Sequence, residues 1–244
     1  MVSRIVIVVF LLSCRCLATP DSGELSSLLL RFQNDRDIAR KEAIILEISL
    51  KYPQAGARLL QIAKSTSDVD TEWLAIRGLG YLKFAPSRKF LIGCLRSPHH
   101  YVRANATRAL GEIHAVSAGP ELIKLLKAEQ DDGVIQQTSL ALDMLKTIKA
   151  LPVLKLRADN VQDSQSECWL IHAIAGMGTQ NDVPFVANRL YDTDESVGLC
   201  AAIELQQLTG VDMNLAVPIN GGMNRSEPIS KAKNWWETNA ATWR

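Results

Sequence analysis

The sequence predicts an all-α fold: an α-solenoid of about six helix pairs, closed at its C-terminal end by a tryptophan-rich cap. Two observations support this. An amphipathic helical pattern recurs at a nearly constant interval, and apolar residues make up 47% of the chain although aromatic residues make up only 6%. A repeat of about thirty residues with two helices cannot bury its apolar side alone, so neighbouring units must stack.

The clearest copy of the pattern runs from residue 101 to residue 113. Its apolar residues are three or four positions apart and share one side of a helix. Arg103, Thr107, Arg108 and Glu112 are predicted to point away from that side. Gly111 is small enough to let a neighbouring helix approach closely.

An apolar pair three residues apart marks the end of each copy. These pairs are Leu79 with Leu82, Leu110 with Ile113, Leu145 with Ile148, Ile174 with Met177, and Leu205 with Leu208. The intervals between their first members are 31, 35, 29 and 31 residues.

The predicted elements follow from this pattern in chain order. They are 24–32 with 35–52, 55–63 with 70–82, 88–95 with 99–114, 121–129 with 133–149, and then helix pairs within 152–178 and 183–209. Pro120, Pro152 and Pro184 stand near the start of a unit's first helix, where the first-turn amides have no intrahelical partner to lose. No Gly-rich or Ser-rich linker interrupts the series, so residues 19–210 are predicted to form one repeat domain.

The periodicity ends at Gly210, and residues 211–229 are predicted to form a loop. A short helix starting near Ser230 then presents Trp235 and Trp236, with Trp243 close behind. We interpret residues 211–244 as a cap, because the end of a solenoid must be sealed. The alternative is an aromatic platform for a ligand.

The Val-Arg-x-x-Ala-x-x-Ala-Leu-Gly-x-Ile form of residues 102–113 resembles the short HEAT-like repeat, including the version found in phycobilin lyases. The resemblance extends from about residue 25 to residue 210. It implies a helical repeat fold, and in this repeat type Arg103 often pairs with an acidic residue of the adjacent unit. HEAT-like repeats occur in scaffolds, adaptors, inhibitors and a few enzymes, so the resemblance implies no single activity. Residues 208–210 with 234–239 also resemble a C-terminal cap of exported bacterial HEAT-like proteins.

The first eighteen residues have the three parts of a secretory signal peptide. Arg4 supplies a positive charge, an apolar run follows at 5–12, and cleavage after Ala18 would leave Thr19 as the first residue. Residues 11–14 also resemble a bacterial lipobox, in which Cys14 would carry lipid. A third reading is an apolar helix that is never cleaved. We expect an exported protein, periplasmic or secreted, that contacts a membrane only if Cys14 is lipidated.

Three cysteines follow this segment: Cys94, Cys168 and Cys200. Cys168 and Cys200 occupy near-equivalent places in consecutive units. They either form a disulfide or fill a helix interface as small buried residues.

No motif for catalysis, cofactor binding or metal binding is present in the sequence. His99 and His100 start a helix and diverge, which does not favour chelation. His172 lies in an apolar helix and is interpreted as a half-buried histidine bonded to a neighbour. The net charge of +1 does not favour nucleic acid as a partner.

The remaining candidate is a surface. Second helices usually line the concave side of HEAT-like stacks, and arginine and aromatic residues are enriched at binding hot spots. We predict a protein-binding strip of Trp73, Arg77, Tyr81, Arg103 and Arg108. The expected function is a non-enzymatic scaffold or adaptor of the bacterial cell envelope that binds a protein of unknown identity. The alternatives are a lyase-type or chaperone-type HEAT-like protein acting on a protein substrate, and a membrane-anchored structural lipoprotein.

Overall fold

A computed structural model describes residues 22–215 and 225–243. The predicted signal peptide, its cleavage site after Ala18 and the lipidation candidate Cys14 lie outside the described residues. Residues 216–224 of the predicted loop after Gly210 also lie outside them.

The described residues form thirteen α-helices and contain no strand, and short loops or single 3-10 turns connect the first twelve helices. The helices are α1 (Ser22–Asn34), α2 (Ile38–Lys51), α3 (Gly56–Ser65), α4 (Val69–Tyr81), α5 (Arg88–Cys94), α6 (His100–Glu112), α7 (Gly119–Ala128), α8 (Asp132–Met144), α9 (Leu151–Ala158), α10 (Ser164–Met177), α11 (Val183–Asn188), α12 (Glu195–Thr209) and α13 (Ser226–Asn239). Each even-numbered helix from α4 to α12 packs against the even-numbered helix before it. This succession of helix pairs is an α-solenoid, which confirms the predicted fold class.

The even-numbered helices from α2 to α12 begin at equivalent residues. Each start lies 31 or 32 positions after the start of the preceding even-numbered helix. Five of these six N-cap residues are aspartates whose carboxylate accepts a backbone N–H of the first turn: Asp37, Asp68, Asp131, Asp163 and Asp194. Such a cap satisfies an amide that has no partner within the helix. The exception is His99 at the start of α6, whose side chain makes no capping bond.

The C-terminal ends of α4, α6 and α8 also repeat one geometry. Lys83, His114 and Lys146 follow these helices in the left-handed region, with φ of 48°, 51° and 47°. After α4, the Lys83 N–H donates to the Gly80 carbonyl at 2.8 Å and the Phe84 N–H donates to the Leu79 carbonyl at 3.0 Å. This is the Schellman motif, and the same two bonds recur after α6 and α8.

The equivalent C-terminal ends of α4, α6 and α8 correct the predicted apolar pair of the fourth unit. The expected pair in the fourth unit was Leu145 with Ile148, which gave uneven intervals of 35 and 29 residues. The structure places Leu142 and Leu145 at the positions equivalent to Leu110 and Ile113, because Lys146 takes the left-handed position that follows. Residues 142, 145 and 148 are all apolar and equally spaced, so the pattern alone did not distinguish the two pairs.

Close packing of consecutive even-numbered helices depends on small residues. A Cβ built on Gly111 would lie 3.3 Å from the Cα of Ala141 on α8, and one built on Gly80 would lie 3.1 Å from the Cα of Ala109 on α6. The prediction that Gly111 permits a close approach is therefore confirmed.

The last helix seals the solenoid as predicted. Helix α13 packs against α12, where Ala232 is fully buried and Ile229 faces Gly198. Trp235, Trp236 and Trp243 are half-buried and pack against the core. The helix begins at Ser226, four residues before the predicted start, because Pro228 lies in its first turn and needs no N–H partner there.

The sequence left the state of the cysteines open. In the structure Cys168 on α10 and Cys200 on α12 form a disulfide, with their Cα atoms 5.7 Å apart, and Cys94 is free and buried.

Candidate functional site

The even-numbered helices present one row of equivalent residues that the stack does not bury. We call this row, together with its immediate neighbours, the even-helix face. Its members are Leu46, Arg77, Arg108, Leu140, His172 and Ile203, each 31 or 32 residues after the one before.

The first cluster on this face contains Trp73 and Arg77, two of the residues predicted for the binding strip. The Arg77 guanidinium lies 4.8 Å from the Trp73 ring centroid. Trp73 is only 7% exposed, its Nε1 donates to Asp70 at 3.0 Å, and the Tyr101 ring of the next unit lies 5.8 Å away. Trp73, predicted for the strip, is therefore packed between units and does not present its ring to solvent, because Tyr101 and Arg77 cover it.

Arg77 bridges three units. Its Nε donates to the side-chain oxygen of Asn105 on α6 at 2.9 Å, and its Nη1 donates to Glu42 on α2. It therefore contributes to the junctions between units as well as to the surface.

Tyr81 and Arg108 form the second cluster. The Arg108 guanidinium lies 5.6 Å from the Tyr81 ring centroid, and its Nε donates to Glu112 at 2.9 Å. The Arg108 side chain is 42% exposed, so a partner can reach it. Thr107, which was also expected to point outward, is fully buried, because the stack encloses that side of α6.

Arg103 lies away from both clusters and joins two units. Its Nε and Nη2 each donate to the carboxylate of Glu129 at 2.8 Å, and its Nη1 donates to the Ser97 carbonyl at 3.0 Å. The pairing with an acidic residue of the adjacent unit, which the repeat type implies, is confirmed. Burial raises the pKa of Glu129, but the bonds from Arg103 and from two backbone amides outweigh that effect and hold the pKa below its usual value.

Sequence reasoning missed Tyr101. Its side chain is 56% exposed and lies beside both Trp73 and His100. The signal was present in the sequence, because Tyr101 is a large aromatic residue at a position where the other units have smaller or polar residues: Ala39, Asp70, Gly133, Gln165 and Ser196.

The third cluster surrounds His172 on α10. The His172 Nδ1 lies 2.8 Å from a carboxylate oxygen of Glu204 on α12, and its Nε2 lies 3.9 Å from Asp143 on α8. Lys146 donates to the same Asp143 carboxylate at 2.8 Å. The bond to Glu204 raises the pKa of His172, more than burial lowers it. The interpretation of His172 as a half-buried histidine bonded to a neighbour agrees with this geometry.

Glu204 was not anticipated. It is 9% exposed, and its second carboxylate oxygen is buried with no hydrogen-bond partner among the described residues. It is the one acidic side chain within the apolar stretch 197–205, which is the signal that could have identified it. An imidazole held by a buried carboxylate can take up and release a proton near neutral pH.

His99 and Cys94 are not part of the cluster around His172. His99 lines a groove with Glu72 and Cys94 at the start of α6. Burial raises the pKa of the Cys94 thiol to about 12, so this thiol stays protonated at neutral pH. Over residues 22–215 and 225–243, no three His, Cys, Asp or Glu side chains are grouped to hold a metal ion, and no helix combines the length and hydropathy needed to cross a bilayer.

Comparison with known proteins gives three findings. The HEAT repeats family matches residues 56–143. Phycocyanobilin lyase subunit alpha from Synechococcus elongatus is 36% identical over 84 residues, which are 32% of this chain and 31% of that protein. The match thus spans about a third of the relative's length. Among solved structures, the complex of CpcE and CpcF of phycocyanin lyase from Nostoc sp. PCC7120 superposes with a TM-score of 0.56 at 16% identity, over 86% of this chain and 94% of that chain.

These findings confirm the HEAT-like repeats and correct one expectation. The absence of a catalytic motif led to the expectation that the protein is not an enzyme. The similarity to a lyase subunit contradicts it and favours the lyase-type alternative. A motif search cannot detect a site assembled from single side chains of separate repeats.

Proposed function

We propose that this HEAT-repeat protein is a lyase-type protein that binds a protein substrate on its even-helix face and promotes bond formation or cleavage on it. The observation that carries the proposal is the 36% identity over 84 residues to a phycocyanobilin lyase subunit. The geometry supports it, because docking side chains and an acid–base pair share one face.

The docking part is assigned to Tyr81, Tyr101 and Arg108. All three are reachable from solvent, and tyrosine and arginine contribute strongly to protein interfaces. Trp73 and Arg77 support Tyr101. The Trp73 ring lies beside the Tyr101 ring, and the Arg77 guanidinium lies over the Trp73 ring. Arg103 has no docking role, because Glu129 and two carbonyl groups occupy its guanidinium.

The chemical part is assigned to His172. A lyase reaction adds or removes a proton next to the bond that changes, and a histidine with a raised pKa can supply that proton. Glu204 holds the imidazole through Nδ1. Nε2 lies 3.9 Å from Asp143, beyond hydrogen-bond distance, so we assign Nε2 to the substrate. His172 is 33% exposed at its side chain and is therefore accessible.

We further propose that the protein is exported and that its substrate is a protein of the cell envelope. The signal-peptide pattern of residues 1–18 supports export, and the Cys168–Cys200 disulfide is of the kind that persists in oxidising compartments. The solved structure that resembles this chain is a complex of two proteins, CpcE and CpcF. This supports the proposal that the protein works together with a second protein chain.

The test is capture of the tagged protein with its partners from envelope extract, followed by incubation of the captured proteins with phycocyanobilin as a probe. We expect one captured protein to gain or lose a defined mass with the unchanged protein and not with His172→Gln. Tyr101→Ala combined with Arg108→Ala should abolish capture, whereas Lys124→Ala, an exposed change on α7, should not.

Two outcomes would refute the proposal: a captured protein whose mass never changes, or one whose mass changes equally with His172→Gln. N-terminal analysis of the same sample tests export. A start at Thr19 supports a soluble exported form, a lipid-modified Cys14 supports a membrane-anchored form, and an intact Met1 supports the apolar helix that is never cleaved and contradicts cleavage at either site.

A further inference from the structure

The Cys168–Cys200 disulfide joins α10 to α12 on the even-helix face. Both cysteines are half-buried, so neither is sealed inside the core. Cys168 lies four residues before His172, and Cys200 lies four residues before Glu204. Because residues four apart on a helix are neighbours, with Cβ atoms about 6 Å apart, the disulfide lies one turn from the His172–Glu204 bond.

The fold does not require this bond. The junctions of α4 with α6, α6 with α8, and α8 with α10 have the same arrangement and contain no disulfide among the described residues. The α10–α12 junction also has a complete apolar contact, since Leu170, Ile174, Ala201 and Leu205 are fully buried there. A purely structural role would leave unexplained why a covalent link occurs at this one junction, beside a histidine.

We propose that the Cys168–Cys200 disulfide is a reactive bond that oxidises thiols of a protein bound to the even-helix face, with His172 as the proton donor. The proposal rests on the protein-binding part of the proposed function and not on its lyase chemistry, because the disulfide reacts independently of any other bond change in the bound protein.

The chemistry balances as a thiol–disulfide exchange. A thiolate of the bound protein attacks the sulfur of Cys200, the bond between the two sulfurs breaks, and Cys168 leaves as a thiolate. Cys168 is assigned as the leaving sulfur because it shares α10 with His172, whose imidazolium gives it a proton. A second thiolate of the bound protein then attacks the mixed disulfide and releases Cys200.

Two electrons pass from the bound protein to this one, and the bound protein keeps the new disulfide. Cys168 and Cys200 end as thiols, and a disulfide compound in the same compartment reoxidises them. The hydrogen bond to Glu204 raises the pKa of His172, which increases the protonated fraction of the imidazole that can serve as the donor. A leaving thiolate that is stabilised in this way departs faster.

The test uses the folded, oxidised full-length protein and reduced glutathione as the probe, with reaction samples quenched by an alkylating reagent and mapped by mass spectrometry. We expect glutathione on Cys200 and an alkylated Cys168, formed in the absence of denaturant. The rate should fall about fivefold in His172→Gln and should not change in His100→Gln, a matched change at an exposed histidine on α6.

The proposal is overturned if glutathione reacts only after urea unfolds the protein, or if His172→Gln reacts at the unchanged rate. Circular dichroism of the reduced protein provides an independent check. A reduced form that remains helical and melts cooperatively supports the proposal, whereas one that unfolds shows that the disulfide is a structural link. Glutathione bound to Cys168 instead of Cys200 would refute the assignment of the leaving sulfur.

Discussion

His172 on α10 is bonded to Glu204 on α12, with 2.8 Å between Nδ1 and the carboxylate oxygen. Each residue lies four positions after one of the disulfide-bonded cysteines. The two helices are therefore joined by a covalent link and by a hydrogen bond on successive turns of the same face. This places the acid–base pair and the disulfide in one neighbourhood of a solenoid whose other junctions rely on packing and hydrogen bonds.

The first prediction concerns the pH dependence of stability at His172. The bond to Glu204 raises its pKa in the folded state, while Asp143 of α8 and Lys146, which follows that helix, also face it. A raised folded-state pKa gives stability that is fully present below the unfolded value of about 6.5 and is lost as pH rises through the folded value. We expect His172→Gln to lower the free energy of unfolding by about 1 kcal/mol at pH 6 and by less at pH 9.

Urea unfolding at the two pH values measures this difference. His100→Gln serves as the control, since His100 is exposed on α6 and should show no such trend. A penalty that is equal at pH 6 and pH 9 would show that the proton on His172 does not stabilise the fold.

The second prediction concerns the N-cap of α6. His99 stands where five equivalent helices have a capping aspartate, and its side chain makes no capping bond. Asparagine caps well and adds no negative charge beside Glu72, so His99→Asn should raise the free energy of unfolding by about 1 kcal/mol. Asp131→Ala removes the equivalent cap of α8 and should lower it by a similar amount. Denaturant titration of both variants checks the opposite signs, and two changes of the same sign would contradict the explanation.

The third prediction concerns the left-handed residues. Lys83 has φ of 48°, a conformation that costs a residue with a Cβ about 1 kcal/mol, whereas Gly210 with φ of 68° avoids that cost. We expect Lys83→Gly to raise the melting temperature and Gly210→Ala to lower it. A Cβ at residue 210 would meet nothing within 4 Å, so only the backbone strain is tested there. An unchanged melting temperature in both variants would mean that the backbone relaxes at these positions.

Much of the fold could be predicted because its signals are local. The apolar spacing within each helix, the prolines at helix starts and the small residue Gly111 depend on neighbours in the sequence. The aspartates of the N-caps were equally available, since five of them recur at the unit interval. The error at Leu145 arose where three equally spaced apolar residues fit two registers, and only the turn at Lys146 distinguishes them.

The candidate site could be predicted less well because its contacts join residues about thirty positions apart. Trp73 fits an outward position on α4 taken alone, and it is buried because Tyr101 of the next unit covers it. The pairing of His172 with Glu204 likewise depends on how α10 and α12 stack. Helical periodicity fixes which side of its own helix a residue occupies, and it does not fix which residue of the next helix lies opposite.

The last prediction separates the two arginines that the sequence had grouped in one strip. Arg103 pairs through two bonds with Glu129, whose side chain is 6% exposed, whereas Arg108 is 42% exposed and pairs with Glu112 on its own helix. Removing one partner of a buried pair leaves an uncompensated charge, so Arg103→Ala should lower the free energy of unfolding by about 3 kcal/mol. Arg108→Ala should lower it by less than about 0.5 kcal/mol.

The pH dependence of the stability lost in Arg103→Ala provides a second test. The pKa of Glu129 is held below its usual value, so the stability it provides is present above the unfolded pKa and is lost as pH falls through the folded value. The penalty of Arg103→Ala should therefore shrink between pH 7 and pH 3, while that of Arg108→Ala stays small throughout. Urea titrations across this range measure both. Equal penalties for the two arginines at pH 7 would contradict the assignment of Arg103 to the junction between units and return it to the binding surface.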